Sequence, residues 1–293
     1  MARPKVGVVT VTFNSAEVLP GFLDSLLAQT FADFLLYAID NASKDQTLGQ
    51  LERWGDPRLR VQANEANLGV AEGNNIGIRL AFEEGCTHIL LLNNDTEFPP
   101  DLFQGLLQSL EERDLAMVVP KILFHDRPEL IWFAGGRFQD WKAYRNTHDG
   151  EGQRDDGRFD AFRLIEYAPT CCMLIHRDVF DRIGLMDEQY FVYGDDCDFC
   201  FRARGAGIRM GYDPRWRLYH KVSSLTQGGD SPFTLRYSMR NKVYFVRKHA
   251  PPLRALCHLA LLQVYLHWRL AHGPREWRAY VIRQKAFREG LGL

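Results

Sequence analysis

The sequence is poor in cysteine, with six among 293 residues at irregular spacing. So few thiols argue against a disulfide framework and for a reducing compartment. No run of about 18 uncharged apolar residues occurs, which excludes an ordinary membrane-spanning helix. The chain starts Met-Ala-Arg-Pro-Lys-Val-Gly-Val-Val and enters a strand-like segment directly. It shows neither the apolar core nor the small-residue cleavage site of a secretory leader. The expectation from these absences is a cytoplasmic protein. Repeats and low-complexity linkers are also missing. So are two nucleotide signatures: the first strand is followed by Asn14-Ser15-Ala16-Glu17 rather than Gly-x-Gly-x-x-Gly, and no Walker sequence is found. NAD and P-loop chemistry are therefore not expected.

What is present is an ordinary globular composition, 46% apolar and 25% charged, with length enough for a sizeable core. The net charge of −1 conceals an uneven distribution. Residues 236–293 carry twelve Lys or Arg against two acids, a balance of +10, while residues 1–235 carry 24 against 35, a balance of −11. A basic tail on an acidic body suits an anionic partner surface, or docking on the body itself.

Periodicity divides the chain. Strand patterns at 6–13, 34–40, 59–62, 88–92 and 117–120 alternate with helical patterns at 18–29, 47–54, 70–84 and 101–114. Alternation with short connections predicts a parallel α/β sheet covered on both faces. Gly69, Gly73 and Gly77 recur every four residues and mark a helix face that packs closely. The pattern fades over 122–168, where strand-like pieces lie at 131–138 and 162–167. A buried strand at 171–176 and helices at 178–183 and 195–206 follow. Three further helices, 232–249, 253–272 and 275–289, are separated by Pro251-Pro252 and Gly273-Pro274. The expected organisation is a mixed body over 1–231 and a basic, amphipathic helical tail over 232–293.

In open parallel sheets, ligands gather at the carboxyl ends of the strands. The polar clusters fall there: Thr12-Phe13-Asn14 after the first strand, Asp40-Asn41-Ala42-Ser43 after the second, Asn64–Gly69 after the third, and Asn93-Asn94-Asp95-Thr96 after the fourth. Each alone could be an ordinary turn; four in succession mark one edge. Together with Asn67-Leu68-Gly69-Val70-Ala71-Glu72-Gly73-Asn74-Asn75-Ile76-Gly77, with Tyr193-Gly194-Asp195-Asp196-Cys197-Asp198 inside the run 184–196, with His220-Lys221, and with the stretch 236–248, this order and spacing resembles family 2 glycosyltransferases of the GT-A fold. The nearest likeness is to their rhamnosyltransferase-like branch, and it covers about residues 6–248.

The resemblance implies a mainly parallel mixed sheet with flanking helices, and inverting transfer of a sugar, rhamnose among the candidates, from a UDP- or dTDP-sugar to a saccharide or lipid-linked acceptor in polysaccharide or cell-wall synthesis. It assigns Asp95 and His220 to a divalent Mn²⁺ or Mg²⁺. A hard cation suits oxygen donors, and an imidazole leans toward Mn²⁺. The usual Asp-x-Asp reads Asn93-Asn94-Asp95 here, one carboxylate short. Asp40 is implied as acceptor for the N3–H of uracil or thymine. Thr12, Phe13, Asn14, Asn41, Asn67, Gly69, Asn75 and Asn94 complete the donor side, and Trp132 and Trp141 are the aromatic candidates for the acceptor side. Of the acids at 195–198, Asp196 is implied as the general base, with Asp195 standing where the family has Glu. The helix dipole alone also favours acids there. Asp198 and Arg202 are spaced for an i, i+4 pair, and Cys197 and Cys200 read as packing residues rather than zinc ligands.

Three other classes stay open on the sequence: a sugar-nucleotide binder without turnover, a glycoside hydrolase with paired carboxylates, and a nucleic-acid binder through the basic tail. The last leaves the strand-end clusters unexplained, so no nucleic-acid partner is expected. In the tail, 255–268 is free of Asp, Glu, Lys and Arg, and Arg254, His258, Tyr265, Arg269 and His272 share one stripe. Such a helix suits an anionic membrane interface, the body or another subunit, and makes a peripheral membrane location the companion expectation.

Overall fold

The computed structural model describes residues 5–222, 231–271 and 277–293. Residues 1–4, and His272, Gly273, Pro274 and Arg275 of the tail pattern, lie outside the described residues. In chain order the elements are β1 (Val6–Thr12), α1 (Leu19–Leu27), β2 (Phe34–Asp40), α2 (Thr47–Trp54), β3 (Leu59–Ala63), α3 (Val70–Glu83), β4 (His88–Leu92), β5 (Thr96–Glu97), α4 (Leu102–Arg113) and β6 (Met117–Phe124). Short strands β7 (Ile131–Phe133), β8 (Phe138–Gln139), β9 (Arg145–Asn146) and β10 (Arg163–Ile165) follow. Then come β11 (Cys172–His176), α5 (Arg177–Ile183), α6 (Asp195–Gly205), β12 (Met210–His220), α7 (Pro232–His249), α8 (Pro252–Ala271) and α9 (Trp277–Gly292).

The main sheet runs β10-β12-β6-β11-β4-β1-β2-β3. β3, β2, β1 and β4 are mutually parallel, β11 is antiparallel to both neighbours, and β12 is parallel to β6. The expected mixed, mainly parallel α/β sheet is therefore what forms. Strands β1, β2 and β4 are mostly apolar because helices cover both faces, and Val8, Val9, Leu36, Ile39, Leu90 and Leu91 are all buried. The glycine face of α3 has the expected use. A Cβ at Gly73 would lie 2.8 Å from the Val11 side chain and one at Gly77 2.5 Å from Val9, so only glycine lets this helix lie so low on β1.

Strand β12 has no counterpart among the sequence expectations. Its sequence Met-Gly-Tyr-Asp-Pro-Arg-Trp-Arg-Leu-Tyr-His interrupts the strand pattern with Pro214. The register shifts between Asp213 and Arg217, so the proline sits in a bulge. Buried Asp213 anchors the bulge: its Oδ2 accepts from Ser109 of α4 (2.8 Å) and from Arg215 (2.7 Å).

The tail is not detached. Phe245 of α7 lies in the main core, Asn241 donates to the carbonyls of Val192 and Tyr193 (2.7 Å each), and Lys248 and His249 pair with buried Asp198 at 2.6 and 2.7 Å. Val243 of α7, Leu266 of α8 and Phe287 of α9 make a second, smaller core. No helix among the described residues is long and apolar enough to cross a membrane.

Candidate active site

The carboxyl ends of the parallel strands form one polar rim, each position fixed by register. Thr12 ends β1 opposite Asp40 of β2, and its hydroxyl donates to Asp40 Oδ1 at 2.8 Å. Asp40 also takes the Ser43 hydroxyl (2.5 Å) and the Ser43 N–H (2.9 Å), so the fully buried carboxylate holds the turn 41–43 in place. Asn14, at φ +51°, accepts from Lys44 N–H at 2.8 Å and stitches the β1 end to the β2 end. The Phe13 ring stands partly open to solvent beside them.

The Asn64–Gly69 loop is tied to the same rim. Asn41 donates to Asn67 Oδ1 (3.3 Å) and to the Gly69 carbonyl (3.0 Å), and accepts from Asn64 (2.9 Å). Gly69 has φ +86°, and a Cβ there would lie 2.3 Å from the Phe191 carbonyl oxygen. Asn75 donates to Met186 O and Glu188 Oε1 and accepts from Met186 N–H, all at 2.9 Å. Its amide is thus committed to the segment 184–194, which leads into α6. Asn75 and Gly69 together fasten that segment to the start of α3.

At the end of β4, Asn94 donates to the Val11 carbonyl at 2.7 Å, while its buried Oδ1 has no hydrogen-bond partner among the described residues. Beside it Asp95 Oδ1 lies 3.2 Å from His220 Nε2, with both side chains about nine-tenths buried. The two are brought together by strand pairing: β5 runs antiparallel to the end of β12, with Thr96 opposite His220, and Lys221 N–H donates to the Asp95 carbonyl at 2.9 Å.

From His220 a continuous set of side chains leads to α6. The half-buried Trp132 ring stands edge-on to His220 (4.6 Å between centroids) and to His148 (4.9 Å). His148 Nε2 lies 3.4 Å from the Tyr167 hydroxyl, which donates to Asp196 Oδ2 at 2.7 Å. Burial, reinforced by the Asp196 charge, raises the Tyr167 pKa well above its ordinary value and keeps this donor protonated. Burial lowers the pKa of His148. The Cys171 thiol, pushed up by burial and by Cys172, also feels the charges of both Asp95 and Asp196. Trp132 joins this network; Trp141 stands exposed on the turn 140–142 with Lys142 over its ring, and no hydrogen bond or ring contact links it to the network among the described residues.

Helix α6 opens after Tyr193 and Gly194, both left-handed at φ +64° and +88°. This sharp entry sets Asp195 and Asp196 on its first turn. Asp195 is buried, with Oδ2 lacking a hydrogen-bond partner among the described residues. Burial, then the adjacent Asp196 charge, pushes its pKa up to about 8. Asp196 is less buried and uses Oδ1 to accept from Cys197 N–H at 2.7 Å. Asp198 takes the structural part expected of it, pairing with Arg202 at 2.7 Å, and its hydrogen bonds with His249 and Lys248, then the Arg202 pair, hold its pKa down at about 2 despite burial. Cys200 is buried, Cys197 lies beside the core, and both are free thiols. His148 and Tyr167 were not singled out as site residues: both come from the stretch without periodicity, where only the aromatic richness was a signal.

A profile described as "Glycosyl transferase family 2" matches residues 7–184, more than half of the sequence. The chain belongs to that family. Among relatives of this family 2 chain, the O-antigen biosynthesis protein RfbC of Myxococcus xanthus is 27% identical over 232 residues, 75% of this chain and 18% of RfbC. The dTDP-rhamnosyl transferase RfbF of Shigella flexneri is 24% identical over 194 residues, 64% of this chain and 62% of RfbF. The chain thus spans under two thirds of either relative. Among solved structures, the mannosyltransferase PcManGT of Pyrobaculum calidifontis, in complex with GDP-Man and Mn²⁺, superposes with TM-score 0.60 at 16% identity, covering 99% of this chain and 88% of that one. The fold is the GT-A type that the family 2 resemblance implied.

Proposed function

We propose that the protein transfers a sugar from a nucleoside-diphosphate donor to a hydroxyl of a saccharide or lipid-linked acceptor, with inversion at the anomeric carbon, in the assembly of a polysaccharide or cell-wall glycan. The observation that carries the reading is the meeting of Asp95 and His220 at 3.2 Å on a rim that continues through Trp132, His148 and Tyr167 to Asp196. Transfer needs positive charge where the diphosphate leaves and a base on the opposite face of the sugar. The two ends of this rim supply candidates for each.

The donor chemistry at the first end fits a divalent cation. Adjacent ligands at about 2.1 Å from a hard ion in octahedral array lie about 3 Å apart, close to the Asp95–His220 separation. No cluster of three or more such ligands exists among the described residues, which suits a site completed by donor phosphates. Asp95 and His220 would hold Mn²⁺ or Mg²⁺, and the ion would offset charge on the departing diphosphate. Asn94 Oδ1, buried and without a hydrogen-bond partner among the described residues, is a second group that a bound donor would satisfy.

Asp196 takes the proton of the acceptor hydroxyl. Tyr167 fixes one carboxylate oxygen and the Cys197 N–H the other, so the base is oriented before acceptor arrives. Asp195 is held neutral near pH 7 by burial and by Asp196, and so does not compete for that proton. On the donor side, Phe13 offers an open ring for the base, and Asp40, Asn41 and Asn14 hold the turns around it. Trp132 shapes the acceptor side. The name of RfbF supports dTDP-rhamnose as the first donor to test, with UDP-sugars second. The catalytic body is residues 1–231 with α7 docked on it.

Thermal-shift titrations with dTDP, UDP and GDP, with and without Mn²⁺, followed by donor turnover in wild type and Asp196→Asn, test the reading. A Mn²⁺-dependent nucleotide shift retained in Asp196→Asn, with transfer reduced by about 10³ or more, is the expected result. Full transfer by Asp196→Asn removes it from the mechanism, and stabilisation by oligosaccharides but no nucleotide favours a hydrolase.

A further inference from the structure

Helix α8 packs on α7 and α9 through Leu259, Leu262 and Leu266. Its opposite face is apolar yet turned to solvent: Leu253, Leu256, Leu261, Val264 and Trp268 are 80, 67, 63, 65 and 57% exposed. With Cys257, Ala260 and Ala271, also exposed, these residues fall within an arc of about 140° at 100° per residue. Twenty residues make this stripe about 30 Å long. Exposed His267 is the one polar residue inside this arc. An otherwise apolar stripe of that length on the outside of a globular protein marks a surface that is covered in use.

We infer that this stripe lies on an anionic lipid leaflet, with the helix axis in the plane of the interface. The charge around it chooses lipid over a second copy of the chain. Arg254 borders the stripe, Arg278, Lys285 and Arg288 are exposed on the adjoining α9, and the stretch 236–293 carries a balance of +10. Two copies meeting face to face would set these cations against each other, whereas acidic headgroups complement them. Interfacial chemistry is also present at the ends: Tyr265 and Trp268 stack at 6.4 Å, and Trp277 is exposed beside Tyr280. Such amphipathic rings favour the boundary between headgroups and acyl chains.

The placement has a purpose for the site. His258 of α8 meets the Tyr144 ring at 5.7 Å, and Tyr144 meets Phe201 of α6 at 5.3 Å. Helix α6 begins with Asp195 and Asp196. A leaflet under α8 is therefore two side chains away from the helix that opens with the proposed base, a suitable position for an acceptor on a lipid carrier. That use rests on the glycosyl-transfer reading; the lipid contact itself does not.

The test is co-sedimentation of the full chain with vesicles of phosphatidylcholine alone and with 30% phosphatidylglycerol by composition (about that fraction suffices for a strong surface potential). Binding to the anionic vesicles at least tenfold above the neutral ones, and at least tenfold loss in Leu261→Asp/Val264→Asp with nucleotide thermal shifts intact, is expected. Failure to sediment with anionic vesicles overturns the proposal. So does dimerisation of the wild type in sedimentation velocity that the same double variant abolishes, because the stripe is then a contact between copies. Nucleotide binding read in parallel separates this failure from failure of the proposed activity.

Discussion

Asp195 gives a direct test of how the first turn of α6 is wired. The folded chain raises its pKa from an ordinary 3.8 to about 8, first through burial and then through Asp196. Between those values the native state holds a proton that the unfolded chain releases, so stability falls as pH rises. At about 1.4 kcal/mol per pH unit, this one group costs roughly 4 kcal/mol between pH 5 and pH 8. Asn is nearly isosteric with the protonated acid and has no charge to lose. Asp195→Asn should therefore be more stable than the wild type by an amount that grows from pH 5 to pH 8, and that growth corresponds to about 6 °C in Tm for a chain of this size. Urea or thermal unfolding of both proteins at pH 5, 6, 7 and 8 measures the divergence. Parallel curves across that range would refute the buried, proton-holding Asp195. Asp196→Asn supplies the cross-check: it removes the second cause and leaves the first, so the slope should shrink and persist.

Tyr167→Phe removes the hydroxyl from Asp196 Oδ2 and should lower kcat about tenfold with donor KM unchanged and the acid limb of the pH–rate profile displaced; unaltered kcat and profile would assign Tyr167 to packing alone. His220→Ala should weaken Mn²⁺-dependent nucleotide binding at least tenfold, read by thermal shift, while metal-free binding stays the same. Gly69→Ala would force a Cβ to within 2.3 Å of the Phe191 carbonyl at a left-handed φ, and should destabilise the chain by about 2 kcal/mol or more in urea unfolding while reducing transfer.

The parts of the fold legible in the sequence are those whose environment is uniform. β1, β2 and β4 are buried on both faces and read as mostly apolar, β-branched runs, and α3 announces its close approach to β1 through spaced glycines. β12 was hidden because its bulge places Pro214 between a buried Asp213 and two arginines flanking Trp216, a pattern that matches neither strand period. Asp95 and Asp196 entered the candidate site through the resemblance. The pairing of His220 with Asp95 was not readable as geometry, since it depends on the bulged register that sets His220 opposite Phe124 of β6 and Thr96 of β5. Tyr167 and His148 come from turns without periodicity, and only the packed structure shows that one orients Asp196 and the other contacts Trp132. Asn75, expected among the donor contacts, instead spends its amide on Met186 and Glu188, a role that no local pattern encodes.

The stretch between β6 and β11 departs from one strand of the sheet and returns on the strand hydrogen-bonded to it. Its two ends are therefore anchored side by side, and the scaffold beneath would not need to unravel if the intervening loops were exchanged for those of another member. On the proposed function, such a cassette could be grafted to redirect acceptor choice, while strands β1 to β4 kept the polar edge proposed for the nucleotide. The graft carries conditions: β10, inside the stretch, must still pair with β12. Trp132 and Tyr167 travel with the cassette but touch His220 and Asp196 outside it, so recombination between members succeeds only where those two side chains find equivalent partners on the recipient.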